Sequence, residues 1–225
     1  MEHNTPKVNG HPNRVHTTDG SPEPDCRSSA TIHPSASELS GSGAGTLAWY
    51  SKPLDYYRFY EINPLIEKIA RKHFTYLSNA STPVDVVIRD GRTALEREPD
   101  QRFDTLILDA FSGDSIPVHL LTLEAFSCYF KRLQRSGVLA VHVSNRYLDL
   151  APVVEAAAYS HGKQAWLVHS PENAIRHWSA ADWVIISDDD RFTAHLEASG
   201  RARPIIQAAN RPWTDSYSSL LAAMR

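Results

Sequence analysis

The chain has 225 residues, of which 42% are hydrophobic, so it can bury a substantial core, and a single α/β domain is the default expectation. Its net charge of −3 excludes a strongly basic protein that binds nucleic acid through charge alone. The two cysteines, Cys26 and Cys128, lie far apart, and no apolar run reaches the roughly 18 residues that a membrane span needs. We therefore expect a cytoplasmic protein without a disulfide framework, a leader or a membrane partner.

Residues 1–38 differ in composition from everything after them. They are rich in Pro, Ser, Thr, Asn, His and Gly, have few large aliphatic side chains and show no hydrophobic periodicity. Such a segment cannot bury enough apolar surface to offset the entropy that ordering would remove. We predict a disordered, low-complexity tail over 1–38 and one folded domain over 39–225.

From about residue 46, short apolar runs alternate with amphipathic stretches, which is typical of a parallel α/β sheet. The predicted strands are Tyr57–Ile62, Val84–Arg89, Thr105–Ala110, Val138–Ser144, Ala165–His169 and Trp183–Ser187. The predicted helices begin at Pro64, run from His119 to Leu133 before a stop at Ser136-Gly137, and run from Ala151 to Tyr159. Short connections and right-handed crossovers then predict a Rossmann-like, doubly wound, mostly parallel sheet.

Acidic residues stand at or just after three successive predicted strands. They are Glu61, Asp90 and Asp109. Open α/β sheets bind ligands beyond the carboxyl ends of their strands, so these three side chains should share one edge. Three neighbouring carboxylates are costly unless a ligand donates hydrogen bonds to them, and the pattern therefore predicts a binding site there.

A glycine triplet precedes the first of these acids. Gly41, Gly43 and Gly45 would permit a tight turn and a close backbone approach to a ligand, although a flexible linker explains such a triplet about as well. Glu61 follows Gly41 by twenty residues, the spacing at which a carboxylate accepts from ribose hydroxyls. Thr46 stands where the dinucleotide fingerprint has Gly or Ala, which favours a nucleoside without a pyrophosphate.

The pair Asp90-Gly91 follows the next predicted strand. The carboxylate could accept from an exocyclic adenine amine, and the glycine would allow the base to approach closely. A simple Asp-Gly turn explains the pair equally well when it is taken alone.

The third acid begins a polar loop. Asp109 ends an apolar strand, and Asp114 follows it by five residues in a Ser/Gly/Asp stretch. Two such carboxylates could hold an ammonium group or take its proton, the base chemistry that an amine nucleophile requires. A turn or helix-capping role for Asp114 remains an equal alternative.

Several of these stretches resemble the spermidine synthase-like proteins (polyamine aminopropyltransferases), and a bacterial branch in particular. The matching stretches are Tyr57–Pro64, Asp90–Arg92, Leu108–Pro117 and Gly137–Asn145, together with the tail Trp213–Tyr217. The resemblance implies a fold of the class I S-adenosylmethionine-dependent methyltransferase type. It also implies transfer of an aminopropyl group from decarboxylated S-adenosylmethionine to a small-molecule amine in polyamine biosynthesis, without a metal.

The resemblance also implies roles for individual residues. The three glycines would approach the amino-acid-derived chain of the co-substrate, Glu61 would hold the ribose, and Asp90 beside Gly91 would hold the adenine. Asp109 corresponds to the aspartate that orients and deprotonates the attacking amine. Asp114 would stand for the second aspartate of that loop, and Tyr217 either lines the substrate site or packs.

Two features depart from that family. Nothing in residues 1–38 could form the small β-rich domain that precedes its catalytic domain, and Ser35–Ser40 lacks the apolar strand expected before the glycines. The sequence therefore predicts a weak or missing central strand and an aberrant start. Two alternatives stay open: a methyltransferase that uses S-adenosylmethionine itself, and a truncated, inactive nucleoside-binding domain.

The remaining polar residues receive simpler interpretations. Asp188–Asp190 is predicted to be a turn with helix-capping character, and His142 a satisfied histidine of the core. The eleven histidines show no metal-site spacing, so no metal is expected. A homodimer is a candidate oligomeric state, and no nucleic-acid partner is expected.

Overall fold

In a computed structural model, one eight-stranded sheet organises the chain. The structure describes residues 28–33 (backbone only), 46–98, 102–109, 117–175, 179–206 and 211–225. The strands are β1 Ser28–His33, β2 Tyr56–Glu61, β3 Val84–Ile88, β4 Phe103–Leu108, β5 Leu133–His142, β6 Ala165–Ser170, β7 Ala181–Ser187 and β8 Ala202–Pro204. Their order is β3-β2-β1-β4-β5-β7-β6-β8, and the pairs from β3 to β5 are all parallel. The predicted Rossmann-like, mostly parallel sheet is confirmed.

Helices connect most of the strands. They are α1 Pro64–His73, α2 Gly91–Arg97, α3 Leu123–Arg132, α4 Ala151–Ser160 and α5 Asp190–Ala198, with 3₁₀ turns at Thr46–Tyr50, Val118–Leu120 and Leu221–Ala223. Within the described ranges, no helix is long and apolar enough to cross a membrane.

Local chemistry accounts for where several helices begin. The Asn63 side chain accepts from the backbone N–H of Leu65 at 3.0 Å, and Pro64 occupies the first turn, where its missing N–H costs nothing. Asp189 caps α5 by accepting from Phe192 N–H at 3.1 Å, which confirms the capping prediction for Asp188–Asp190.

The core lies between the sheet and the helices α2, α3 and α4. Seven of the ten residues of α4 are buried, because this helix packs against α3 as well as against β6 and β7. A helix that is apolar on nearly every side belongs in the interior. The largest fully buried side chains include Tyr60, Phe103, Phe126 and Tyr129.

The prediction that residues 1–38 are disordered is wrong for Ser28–His33. β1 lies inside the segment predicted to be disordered, and it occupies the centre of the sheet with the register Thr31↔Phe59 to β2 and Thr31↔Ile107 to β4. The central strand is therefore present, six residues long and upstream of Ser35–Ser40. Parallel pairing on both sides supplies its backbone hydrogen bonds, which local composition cannot reveal. Residues 1–27 and 34–38 lie outside the described residues, and the domain division at residue 38 stays a prediction.

The prediction that Ser136-Gly137 closes a helix is wrong. α3 ends at Arg132, and both residues lie within β5. The pairing of β5 with β4 shifts between Phe103 and Thr105, so this part of the strand is irregular. A Cβ on Gly137 would come within 2.9 Å of the Gln134 carbonyl oxygen, so the glycine serves close backbone packing at an irregular strand rather than a helix end.

Candidate active site

Polar side chains collect at the carboxyl edge of the parallel strands. Glu61 is the last residue of β2, Asp90 follows β3 by two residues, and Asp109 directly follows β4. Since β3, β2, β1 and β4 are consecutive parallel neighbours, all three acids reach the same edge. This is the arrangement that the sequence predicted for these residues.

The Glu61 carboxylate is buried at this edge. Its residue is only 5% exposed, and Oε1 accepts from the backbone N–H of Asn63 at 2.7 Å. Burial raises the pKa of this carboxyl, while the backbone N–H groups of Asn63 and Ile62 lower it. A buried carboxylate held by backbone donors is well placed to accept from ligand hydroxyls that replace the lost water.

The neighbouring residue ties β2 to the end of α2. Tyr60 is fully buried, and its hydroxyl donates to Glu98 at 2.8 Å, while the guanidinium of Arg58 donates to the same carboxylate at 2.8 Å. These hydrogen bonds fix the end of β2 relative to the C-terminal end of α2. Glu61 therefore projects from a rigid strand end, as a preformed site requires.

Asp90 caps a helix that the sequence analysis did not predict. Its Oδ1 accepts from the backbone N–H of Thr93 at 2.9 Å and from the Thr93 hydroxyl at 2.8 Å, which starts α2 at the buried Gly91. Its Oδ2 accepts from His119 Nε2 at 3.0 Å. The hydrogen bond from His119 lowers the pKa of Asp90 to about 2, so this carboxylate is ionised at neutral pH. The aspartate followed three residues later by threonine was the available signal for the cap.

Asp109 contacts a histidine from the adjacent strand. Its Oδ1 lies 2.8 Å from Nδ1 of His142, and His142 Nε2 lies 2.8 Å from the hydroxyl oxygen of Ser144. Both the Asp109 and the His142 side chains are 21% exposed. His142 is therefore satisfied, as predicted, but at the candidate site rather than in the core, which is a correction. Alternate residues of a strand share a face. The spacing of His142 and Ser144 in the predicted strand next to Asp109 was therefore the available signal for this contact.

Tyr217 lies in a cavity of about 600 Å³ at the α2 end of the site. Its other lining residues include Arg92, His119, Thr122 and Asp215. The guanidinium of Arg92 donates to both carboxylate oxygens of Asp215 at 2.6 Å, which holds the tail segment against α2. Since His119 also contacts Asp90, Tyr217 is brought to the Asp90 side of the site rather than to Asp109. The guanidinium of Arg211 stacks 3.9 Å from its ring centroid.

A second cavity of about 660 Å³ lies where β5, β6 and β7 meet. Val143, His169, Asp182 and Arg203 are among the residues that line it. β7 runs antiparallel to β5, so its first residues reach the same edge at which β5 ends. Asp182 pairs with His169 Nδ1 at 2.6 Å.

Four predicted site residues cannot be placed. Gly41, Gly43, Gly45 and Asp114 lie outside the described residues. In the part of the chain that is described, no group of three or more His, Cys, Asp or Glu side chains could hold a metal ion.

No family model matches the chain. It is 34% identical over 84 residues to the polyamine aminopropyltransferase of Vibrio vulnificus (strain CMCP6), covering 36% of this chain and 27% of that protein. It is 31% identical over 134 residues to the N-terminal histidine N-methyltransferase of Emericella nidulans, covering 57% and 22%. The chain thus spans about a quarter of the length of these curated relatives.

Solved structures match over most of the chain. A probable spermidine synthase from Corynebacterium glutamicum superposes with a TM-score of 0.60 at 17% identity, covering 86% of this chain and 74% of that one. A spermidine synthase in complex with the transition-state analogue AdoDATO has a TM-score of 0.50 at 14% identity, covering 90% and 65%. The fold is that of spermidine synthases and class I methyltransferases, and the resemblance predicted from the sequence is confirmed.

Proposed function

We propose that this chain, which has the spermidine synthase fold, acts as an aminopropyltransferase. It would transfer the aminopropyl group of decarboxylated S-adenosylmethionine to a small-molecule amine in polyamine biosynthesis. The observation that carries the proposal is the placement of Glu61 and Asp109 at the ends of β2 and β4, which flank the central strand β1. The match to a polyamine aminopropyltransferase over 84 residues supports the same reaction class.

The chemistry requires a bound nucleoside and a deprotonated amine. In the proposal, Glu61 accepts from the ribose hydroxyls and Asp90 beside Gly91 binds the adenine. The backbone of Gly41, Gly43 and Gly45 would lie beside the amino-acid-derived chain of the co-substrate. The buried position of Glu61 and the ionised state of Asp90 support these roles.

Asp109 is the proposed general base. It would take a proton from the acceptor ammonium, whose nitrogen lone pair then attacks the carbon next to the sulfonium. The carbon–sulfur bond breaks, its electron pair stays on sulfur, and methylthioadenosine leaves as a neutral thioether. Asp114 is proposed to bind the amine, and Tyr217 is proposed to bind substrate from the Asp90 side of the site. The reaction needs no metal. A cytoplasmic location and a homodimer remain part of this proposal.

The test is the release of methylthioadenosine from decarboxylated S-adenosylmethionine in the presence of a set of diamines. Wild-type protein should release it, and Asp109→Asn should lower kcat by roughly 10²- to 10⁴-fold, the usual contribution of a general base. The matched control is Asp104→Asn, an acid of the same strand that carries no proposed role. Equal rates in wild type and Asp109→Asn would contradict the assignment of the base.

A second candidate function is methyl transfer from S-adenosylmethionine. The match to an N-terminal histidine N-methyltransferase over 134 residues favours it. Supplying S-adenosylmethionine labelled in its methyl group, with a cell extract as acceptor, separates the two reactions. Methylthioadenosine binding without either reaction would instead indicate an inactive nucleoside-binding domain.

A further inference from the structure

The imidazole of His142 connects Asp109 to a defined chain of hydrogen bonds. Nδ1 lies 2.8 Å from Asp109 Oδ1, and Nε2 lies 2.8 Å from the Ser144 hydroxyl oxygen. That oxygen accepts from the backbone N–H of Asp182 at 2.7 Å. Four groups from β4, β5 and β7 therefore form one continuous series.

The Asp109 end of this series determines the direction of the hydrogen bonds made by a neutral His142 ring. A backbone N–H can only donate, and an ionised carboxylate can only accept. Ser144 Oγ accepts from Asp182, so its own proton is available for Nε2 of His142, and Nδ1–H is left to donate to Asp109. The neutral imidazole is thereby assigned the Nδ1–H tautomer.

The plane of the ring is also constrained. The indole of Trp183, which pairs with His142 across β5 and β7, stacks on the imidazole with centroids 4.8 Å apart and an angle of 21°. The Asp182 carboxylate contacts His169 rather than His142. The Asp109 carboxylate, in contrast, is in direct contact with the His142 ring.

We propose that His142 is a positioning residue for Asp109 in the aminopropyl transfer, and this inference rests on the proposed function. Its Nδ1–H anchors one carboxylate oxygen and sets the rotation of the carboxyl group that accepts a proton from the amine. Ser144 holds the ring in the required tautomer, and Trp183 holds its plane. Ordering of a reacting group by a partner behind it is a general feature of preorganised sites.

Three variants test this role in the methylthioadenosine-release assay. His142→Ala should lower kcat by roughly 10- to 100-fold, the range for one lost hydrogen bond to a charged group, with methylthioadenosine binding within about twofold of wild type. His142→Asn keeps an N–H donor near the Nδ1 position and should recover most of the rate. Ser144→Ala should have a smaller effect, roughly 3- to 10-fold. A His142→Ala kcat within twofold of wild type, or no recovery in His142→Asn, overturns the proposal.

A measurement without turnover separates this inference from the proposed function. Nitrogen-15 NMR of histidine-labelled wild-type protein, at a pH where the ring is neutral, should show His142 as the Nδ1–H tautomer, and Asp109→Asn should change that signal. An Nε2–H tautomer overturns the inference whatever the activity. Absence of aminopropyl transfer by the wild type would overturn the proposed function and with it the catalytic part of the inference, while the NMR result still decides whether the ring is held as described.

Discussion

Asp90 combines two roles that substitution can separate. Its Oδ1 caps α2, while its Oδ2 accepts from His119. The pKa of about 2, against an ordinary value of 3.8, sets an upper bound of about 2.5 kcal/mol for the stabilisation that ionised Asp90 contributes. Because its partner His119 is half exposed, solvent screening reduces this to about 1 kcal/mol. Asp90→Asn keeps a capping oxygen and should cost about 1 kcal/mol at pH 7, whereas Asp90→Ala also loses the cap and should cost about 2 kcal/mol.

Urea unfolding at pH 7 and at pH 3 measures both effects. The folded-state pKa is depressed, so the charge-dependent stabilisation is complete above the unfolded-state pKa and is lost as the pH falls towards about 2. At pH 3 the difference between wild type and Asp90→Asn should therefore be about half of its value at pH 7. The cap-dependent difference between Asp90→Asn and Asp90→Ala should remain. If the two variants lose equal stability at pH 7, or if the wild-type advantage over Asp90→Asn does not change with pH, the division into cap and charge is wrong.

Two further substitutions test the rigid end of β2 and the tail. Glu61→Gln should weaken methylthioadenosine binding by roughly 10- to 100-fold in calorimetry, through loss of charge-assisted acceptance from the ribose. Burial raises the pKa of Glu61, so the ionised carboxylate lowers the stability of the fold at neutral pH. Glu61→Gln should therefore unfold at a urea concentration at least as high as that of wild type at pH 7. A lower midpoint would contradict this reasoning. Asp215→Ala removes the partner of Arg92 and should lower the free energy of unfolding by at most about 1 kcal/mol, because Asp215 is half exposed. It should also speed hydrogen exchange at the Leu123 amide, which donates to the Trp213 carbonyl at 2.9 Å, and unchanged exchange would show that Arg92 does not hold the tail.

Sequence patterns predicted elements whose signals are local. Pro64 marked the start of α1, and the apolar run from Ala151 marked α4. β1 escaped prediction because Ser28–His33 has little apolar content, and its stability comes from two neighbouring strands that are distant in sequence. The start of β5 at Leu133 escaped for a related reason, since its first residues carry no alternating pattern and follow an irregular pairing.

The sequence predicted the acidic residues of the candidate site but not the hydrogen bonds between its side chains. The carboxylates at strand ends followed from the general geometry of parallel sheets, which places Glu61, Asp90 and Asp109 at one edge. The pairing of Asp109 with His142 depends on which strands are neighbours and on their register. Neither quantity can be read from one segment of sequence, and a histidine inside an apolar run therefore looked like a core residue.

The position of β1 has a consequence for how binding and folding are linked. Among the described strands, β1 lies between the β2–β3 half of the sheet and the β4–β5 half and pairs with both, and its sequence contains one large aliphatic residue, Ile32. Such a junction should be the first place at which the sheet opens. In the proposed complex, the nucleoside is held by Glu61 on one half and the amine by Asp109 on the other, so the two substrates together would bridge it. Ligand at 100 times its Kd would then add about 2.7 kcal/mol to the stability of the joined sheet. The bound substrates would therefore stabilise the association of the two halves of the sheet across β1.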